Sequence, residues 1–150
     1  MSESANIAQD IDKDSFEKLL PQLRTQLLET QFDLVAAKNF PVILVFAGME
    51  GARVIDALAS ASTVLDTRHA ATFAHDAPTE DESRYPRMWR FWRDLPPKGD
   101  MGIYVGAWYT KPLTDRVLQK SGKTAFKQEM QTINRFEAML AQEGALILKF

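Results

Sequence analysis

The sequence predicts an α/β fold of three layers, in which helices cover both faces of a mainly parallel β-sheet. Two apolar runs, at 40–47 and 145–150, are typical of strands that lie inside such a sheet and are buried on both faces. The stretches between the candidate strands have helical periodicity, and strands that alternate with helices are joined by right-handed crossovers into a parallel sheet. We therefore expect one α/β domain.

Composition limits the size and the chemistry of the protein. A chain of 150 residues, with 45% hydrophobic and 25% charged residues, has room for one globular domain. The net charge of −2 gives no general attraction to nucleic acids or anionic membranes. The absence of cysteine excludes disulfides, zinc thiolates and cysteine nucleophiles. Without a signal peptide or an apolar run of the ~20 residues that a spanning helix needs, we expect a cytoplasmic protein without nucleic-acid or membrane partners.

The beginning of the chain is expected to hold a tail and a long helix. Residues 1–12 are small and polar and predict a flexible tail, so that the domain covers 13–150. Apolar residues then follow a helical spacing, and Asp14 with Glu17 forms a capping-box pair at the start of this pattern. Pro21 lies inside the pattern, where it predicts either a kink or a second helix start.

Turn and cap signals predict the remaining elements. Thr79 and Glu82 form a second capping-box pair, which predicts a helix that runs to Leu95, unbroken or broken at Pro86. The other predicted elements are a helix around 54–61, a weaker strand near 70–74, a turn at 96–99, a strand at 103–105, a helix after 108–109 and a last helix that stops at Gly144. The chain ends inside its last predicted strand, so we expect it to be a piece of a longer protein.

The strand at 40–47 leads into a glycine turn with the layout of a phosphate-binding loop. In such a loop, backbone N–H groups and a helix N-terminus hold phosphate, and the working pattern is G-x-x-x-x-G-K-[ST]. Gly48 occupies the first position, but Arg53, Val54 and Ile55 replace the second glycine, the lysine and the hydroxyl residue. The pattern alone favours a plain strand-to-helix turn, although Arg53 could place a cation near the loop.

Three stretches, in order along the chain, resemble one family. They are the strand and turn at 39–50, the segment Met-Trp-Arg-Phe-Trp-Arg-Asp-Leu-Pro-Pro-Lys-Gly at 88–99, and the Trp-Tyr pair at 108–109. The Arg-Phe-Glu helix at 135–137 and the strand at 144–150 fit as well. These motifs are similar to those of the polyphosphate kinase type 2 family, and most of all to the N-terminal half of tandem-domain polyphosphate:AMP phosphotransferases.

The resemblance implies a P-loop kinase-like fold in which 13–150 form an incomplete domain, without its lid and C-terminal part. The family transfers a phosphoryl group from polyphosphate to a nucleotide with Mg²⁺, and this chemistry depends on positioned cations and carboxylates. Glu50 stands at the family's loop aspartate, which makes it a weak candidate metal ligand, and Val54 stands at the loop lysine. Val105 and Gly106 replace the aspartate and the arginine of the second motif.

A few cations remain as candidate phosphate ligands. The resemblance leaves Arg90, Lys98 and Arg53 as candidates for binding phosphate or polyphosphate. Between Arg84 and Lys98 there are five cations and one anion. This excess of positive charge is explained either by a groove for a polyanion or by a solvated basic flank on a helix.

These observations lead to a functional hypothesis. We predict that the complete protein transfers phosphate from polyphosphate to AMP with Mg²⁺, and that a second domain of the same chain carries out catalysis. This segment is predicted to be non-catalytic, with a degenerate phosphate loop and no cofactor of its own. The resemblance also implies homo-oligomers. The alternative is a stand-alone, non-catalytic module of the P-loop fold that acts in assembly or in polyanion binding.

Overall fold

The computed structural model describes residues 12–47 and 58–150. Its strands are β1 (Val42–Phe46), β2 (Ala70–Ala74), β3 (Met101–Val105) and β4 (Leu146–Lys149). Its helices are α1 (Lys13–Ala37), α2 (Trp89–Arg93), α3 (Thr110–Val117) and α4 (Lys123–Gln142), with 3-10 turns at Glu82–Arg84 and Ala107–Tyr109 and a helical stretch at 58–62. All strand pairs are parallel and the spatial order is β2-β3-β1-β4, which confirms the predicted α/β class.

The central strands β1 and β3 are buried on both faces, as the apolar run at 40–47 predicts. The prediction that the run at 145–150 lies inside the sheet is wrong for the described residues, because β4 is at the border of the sheet and its Leu146 and Leu148 are 43% and 41% exposed. One core cluster contains Ile43, Val45, Phe91, Tyr104, Trp108, Ile133, Phe136 and Leu140. The other contains Leu34, Val42, Phe46, Leu65, Ala70, Met101 and Ile103. Alternate residues of β1 enter opposite clusters, because successive side chains of a strand lie on opposite faces of the sheet. The first cluster is covered by α2 and α4 and the second by α1 and the segment at 58–65, which gives the predicted three layers.

α1 begins two residues earlier than its cap signals predict. Asp12 is the N-cap, and its carboxylate accepts hydrogen bonds from the Ser15 backbone N–H (3.0 Å) and hydroxyl (2.7 Å). The prediction of a capping box between Asp14 and Glu17 is therefore wrong, because the first turn is already capped by the carboxylate of Asp12. The rest of the predicted tail, 1–11, lies outside the described residues.

α1 is a single helix that contains Pro21, so the alternative of a second start at that residue is wrong. The proline ring removes one backbone hydrogen bond, but Pro21 is exposed and water can satisfy the freed carbonyl group. Near its C-terminal end the helix is fixed by Gln31, which is fully buried. The Gln31 amide donates to the Asp66 carbonyl (3.0 Å) and accepts from the Asp66 N–H (2.7 Å), which holds α1 on the segment that leads into β2.

The segment between β2 and β3 follows the predicted alternative in which the helix is broken at Pro86. Thr79 and Glu82 do form the reciprocal capping box, with hydrogen bonds of 3.2 and 3.1 Å. The helix nevertheless stops after one 3-10 turn, because Pro86 disfavours helical geometry at Tyr85, whose φ and ψ are −104° and 160°. α2 then has only five residues, and its Trp92 is 44% exposed. Phe91, the residue before it, is the one that enters the core.

The end of α4 follows the predicted signal. Gly144 has a φ of +91°, and the Ala145 N–H donates to the Leu140 carbonyl (2.9 Å), which is a helix stop typical of glycine. β4 then pairs with β1 and lies at the border of the described sheet. In the described ranges, no helix combines the length and the apolar character that a membrane span requires.

Candidate functional site

The topology places one crevice at the carboxyl ends of β1 and β3. Along the chain β2 follows β1, but in the sheet it lies on the far side of β3. In the same way β4 follows β3, but it lies on the far side of β1. The two connections therefore leave in opposite directions from adjacent strands, and ligands of open α/β sheets bind at such a switch point. Along the chain, residues 48–57 follow β1 and residues 106–109 follow β3.

The first of these segments is the predicted phosphate loop, and it lies outside the described residues. It contains Gly48, Glu50, Arg53 and Val54, so the predicted loop, the weak metal ligand and one predicted cation have no described geometry. Its residue types still limit its chemistry, because 48–57 contain no lysine, serine or threonine. The side chains with which a phosphate loop reaches the transferring phosphates and holds magnesium are therefore missing from it.

The second segment has a backbone that favours glycine. Gly106 has a φ of +76°, in the left-handed region that side chains disfavour. A Cβ atom at this position would lie 2.2 Å from Oγ1 of Thr110. The Thr110 N–H in turn donates to the Gly106 carbonyl (2.9 Å), which fixes the two residues against each other. The family resemblance implies an arginine at this position. The backbone here instead favours glycine.

Trp108 and Tyr109, which follow this turn, are anchored by one carboxylate. Trp108 is 1% exposed, and its ring lies edge-on to Phe136 with centroids 5.0 Å apart. The indole N–H donates to Oε1 of Glu137 (3.1 Å), and the Tyr109 hydroxyl donates to the same oxygen (2.7 Å). Oε2 of Glu137 accepts from Nζ of Lys149 (2.8 Å). A single side chain of α4 therefore fixes both the segment after β3 and the end of β4.

The charges in this cluster stabilise one another. The hydrogen bond to Glu137 raises the pKa of Lys149, because it favours the ammonium form. Burial raises the pKa of Tyr109, so the phenol keeps the proton that it donates to Glu137. The Glu137 side chain is 12% exposed, whereas that of Lys149 is 51% exposed. The carboxylate is therefore enclosed by donors, and the lysine remains open to solvent at the carboxyl edge of the sheet.

Arg90, the first predicted phosphate ligand, lies on the carboxyl side of β2 and is held by internal partners. Its Nη1 donates to the carbonyl of Asp76, two residues after β2 (2.9 Å), and its Nη2 lies 3.5 Å from Oε2 of Glu82. Both side chains of this ion pair are 13% exposed. Arg93 approaches the other oxygen of Glu82 at 3.5 Å. Contact between Arg90 and polyphosphate stays a prediction, and the contacts that the structure describes lie within the domain.

The other arginines of the basic run are also ion-paired. Arg84 lies 3.5 Å from Asp81, and Arg87 contacts Glu129 on α4 and donates to the Trp108 carbonyl (2.9 Å). Burial lowers the pKa of Arg87. Because the 3-10 turn that carries Arg84 is separate from α2, these arginines do not follow one helix. The ion pairs of these arginines therefore connect residues within their own segment, and the pair of Arg87 with Glu129 connects this segment to α4.

Lys98, the second predicted phosphate ligand, lies at the opposite edge of the sheet. It is exposed in the turn before β3, and the next residue, Gly99, donates its N–H to the Phe40 carbonyl (3.0 Å) ahead of β1. β3 has five residues, and with four steps of about 3.3 Å its first and last Cα atoms are roughly 13 Å apart. The structure therefore does not bring Lys98 together with Arg90 or with the segment at 106–109.

A buried polar pair that sequence reasoning did not identify supports α2. His75, whose side chain is 6% exposed, has Nε2 3.0 Å from Oδ2 of Asp94. The Tyr104 hydroxyl donates to the Asp94 carbonyl (2.6 Å), and a hydrogen bond from Arg93 lowers the pKa of Asp94. These contacts join β2, α2 and β3. A lone histidine gives no sequence signal for a partner that lies 19 residues further along the chain.

The family resemblance implies Mg²⁺, and the described residues do not fit a magnesium site. Mg²⁺ binds carboxylates and phosphate oxygens. At the carboxyl ends of β1 and β3, the described residues are Phe46, Ala47, Val105, Gly106 and Ala107, and none of these has an oxygen in its side chain. In the part of the chain that the structure describes, no group of three or more histidine or acidic side chains is placed to hold a metal ion.

A parallel sheet of the order β2-β3-β1-β4, with helices on both faces and a switch point between its two central strands, defines an α/β domain of the P-loop kinase-like type. The family model of polyphosphate kinase 2 matches residues 10–150. The chain therefore belongs to the polyphosphate kinase 2 family.

Individual relatives agree with this assignment. Over 150 residues the chain is 41% identical to a polyphosphate:AMP phosphotransferase of Pseudomonas aeruginosa, and it covers 30% of that protein. A crystal structure of a Pseudomonas aeruginosa protein assigned to polyphosphate kinase 2 matches the whole chain with a TM-score of 0.89 and 41% identity, and the chain covers 32% of it. A crystal structure of polyphosphate kinase 2 from Arthrobacter aurescens has the same fold, with a TM-score of 0.85 and 22% identity over 98% of the chain, which covers 53% of it. The chain thus spans only part of each of these proteins.

Proposed function

We propose that this chain is an N-terminal, non-catalytic domain of a longer phosphotransferase that transfers phosphate from polyphosphate to AMP. Membership of the polyphosphate kinase 2 family and 41% identity to a polyphosphate:AMP phosphotransferase support the reaction class. The 30% share of that relative supports a larger whole, in which a second domain carries out catalysis. Phosphoryl transfer from polyphosphate to AMP, with Mg²⁺, would take place in that second domain.

The single observation that carries the non-catalytic assignment is the backbone at Gly106. Phosphoryl transfer needs cations and a magnesium-binding carboxylate around the transferring group. At this position the positive φ and the Thr110 hydroxyl, 2.2 Å from a Cβ atom, disfavour any side chain. The family's arginine could not be restored without rebuilding the turn. Val54 at the loop lysine and Val105 at the second aspartate support the same assignment.

The contacts that the domain keeps support a role as a scaffold. Glu137 anchors the Trp108–Tyr109 segment and the end of β4, although no catalytic group follows β3. We infer that the domain acts in assembly, either by pairing with the catalytic domain of the same chain or in a homo-oligomer. Weak binding of a polyanion through Arg90, Lys98 or Arg53 stays a prediction, as does a cytoplasmic location.

We expect the purified chain not to bind ADP with Mg²⁺ at nucleotide concentrations up to about 1 mM, the upper end of ordinary substrate affinities. The reason is that the loop has no lysine or hydroxyl residue and that the carboxyl end of β3 has no carboxylate. Isothermal titration calorimetry measures this directly. A relative with an intact loop is the positive control under the same conditions, and a micromolar dissociation constant for this chain would refute the assignment.

The same titration with long-chain polyphosphate tests the predicted contact of Arg90. Arg84→Ala is the matched control, because Arg84 is an exposed arginine of the same basic run. Binding that weakens with salt and with Arg90→Ala, but not with Arg84→Ala, would support the contact. A lower melting temperature of Arg90→Ala with unchanged binding would assign Arg90 to its ion pair with Glu82 alone.

A further inference from the structure

We infer that Lys149 binds a phosphate group at the carboxyl edge of the sheet and that Glu137 and Tyr109 position it there. The inference rests on the proposed function for the class of ligand, a chain of phosphates. Apart from the class of ligand, it depends on four hydrogen bonds among Trp108, Tyr109, Glu137 and Lys149. These bonds place the exposed ammonium group of Lys149 beside the switch point.

The location of Lys149 is fixed by the strand ladder. Its Cα pairs with that of Val45 in β1, and the Ala47 N–H donates to the Phe150 carbonyl (3.1 Å). The chain passes into the segment 48–57 directly after this bond. Lys149 therefore lies on the strand next to β1, at the end of the sheet where ligands of this architecture bind.

Lys149 also has hydrogen-bonding capacity left. An ammonium group carries three N–H donors. Its described partners are Oε2 of Glu137 (2.8 Å) and the Tyr109 oxygen (3.3 Å). Within the described ranges these two partners account for two donors, and the side chain is 51% exposed. The third donor is available for an oxygen of a ligand.

The alternative is an ordinary surface ion pair, which holds its partners loosely and contributes little to stability. The pair between Glu137 and Lys149 differs because the carboxylate is enclosed and receives donors from Trp108 and Tyr109 as well. These two donors fix the carboxylate and spread its charge, so that it orients the lysine without moving itself. A cation that is already oriented loses less side-chain freedom when it binds a ligand.

Arg90 is a weaker candidate for the same task. Its side chain is 13% exposed, and its two terminal nitrogens are directed at Asp76 and Glu82. A phosphate that reached Arg90 would have to displace an internal partner. A phosphate that reached Lys149 would need only to displace water.

The test is the binding of tripolyphosphate to the intact chain, without nucleotide, measured by calorimetry at low salt. We expect Lys149→Met to weaken binding about tenfold, the effect of losing one charge-assisted hydrogen bond. Lys149→Arg should keep most of the affinity because it keeps the charge. Lys38→Met is the matched control, since Lys38 is an exposed lysine ahead of β1, at the opposite edge of the sheet, and its loss should leave the affinity unchanged.

Glu137→Gln is the second variant. It tests whether Glu137 positions Lys149, because the variant keeps the positive charge of Lys149. Glutamine can still accept from Trp108 and Tyr109, but it holds Lys149 less firmly, so we expect binding to weaken about threefold with a folded protein by circular dichroism. Unchanged affinity in Lys149→Met, or an equal loss in Lys38→Met, would overturn the inference. Absence of tripolyphosphate binding in the unmodified chain would overturn it too, and it would leave the proposed function to be judged by nucleotide binding and turnover.

Discussion

Replacement of Trp108 by alanine is expected to lower the free energy of unfolding by about 4 kcal/mol, the usual cost of removing a large aromatic side chain from a core. Trp108 is 1% exposed, and its ring centroid lies 5.6 Å from that of Phe91, 5.0 Å from that of Phe136 and 5.6 Å from that of Tyr104. The substitution also removes the indole donor from Glu137, which is left with one donor fewer in an enclosed position. The loss of packing and the loss of the hydrogen bond act in the same direction.

Urea unfolding followed by circular dichroism measures this change without relying on tryptophan fluorescence. Trp92→Ala is the matched control, because Trp92 is 44% exposed and its one ring contact in α4, with Phe136, has a centroid distance of 5.6 Å. The control should cost about 1 kcal/mol or less, as is usual for an exposed side chain. Equal destabilisation by the two substitutions would show that the Trp-Tyr segment is not the structural anchor that its contacts indicate.

Gly106→Arg, which restores the family's residue type at this position, is expected to destabilise the fold by about 3 kcal/mol and to bring no catalytic gain. A side chain in left-handed backbone costs about 1–2 kcal/mol, and crowding in a packed region adds about 1–3 kcal/mol. Both terms apply here, since φ is +76° and the Cβ would meet the Thr110 hydroxyl at 2.2 Å. An arginine that functioned here would need a different backbone.

The contribution of the backbone can be measured by comparing two glycine-to-alanine variants. Gly106→Ala adds only the Cβ atom and should cost about 2 kcal/mol. Gly122→Ala is the control, because a Cβ at Gly122 has no neighbour within 4 Å and its φ is −74°. The control should change the free energy of unfolding by less than about 1 kcal/mol. A Gly106→Arg variant as stable as the unmodified chain would contradict the structural account of this turn.

Much of the fold could be predicted because the pattern of apolar residues is set by the sheet itself. The run at 40–47 is apolar on both faces, and β1 is indeed covered on both sides. Where two local signals compete, the sequence left both alternatives open, as at Pro86. Thr79 and Glu82 form the predicted capping box, yet Pro86 ends the helix that the box opens. Whether the capping box or the proline determines the length of the helix depends on the free energy of the whole segment. The cap residues alone do not reveal that free energy.

The sequence shows which residue types stand at the family's site positions, but it does not show their contacts. Counting positions along the sequence identified Gly106 at the arginine and Val105 at the aspartate of the second motif. The positive φ of Gly106 and its closeness to Thr110 are tertiary features that no spacing rule contains. Arg90 was selected by its motif, whereas its partner Glu82 lies on another turn and reaches it only after the segment has folded.

We propose that this domain keeps the family fold and does not catalyse phosphoryl transfer. The most direct test is an assay of phosphoryl transfer by the purified chain with long-chain polyphosphate, AMP or ADP, and Mg²⁺. A polyphosphate:AMP phosphotransferase with an intact loop is the positive control. We predict no product above that of an enzyme-free blank. Turnover that rises in proportion to the concentration of the chain, and that is lost in Glu50→Gln, would contradict the claim.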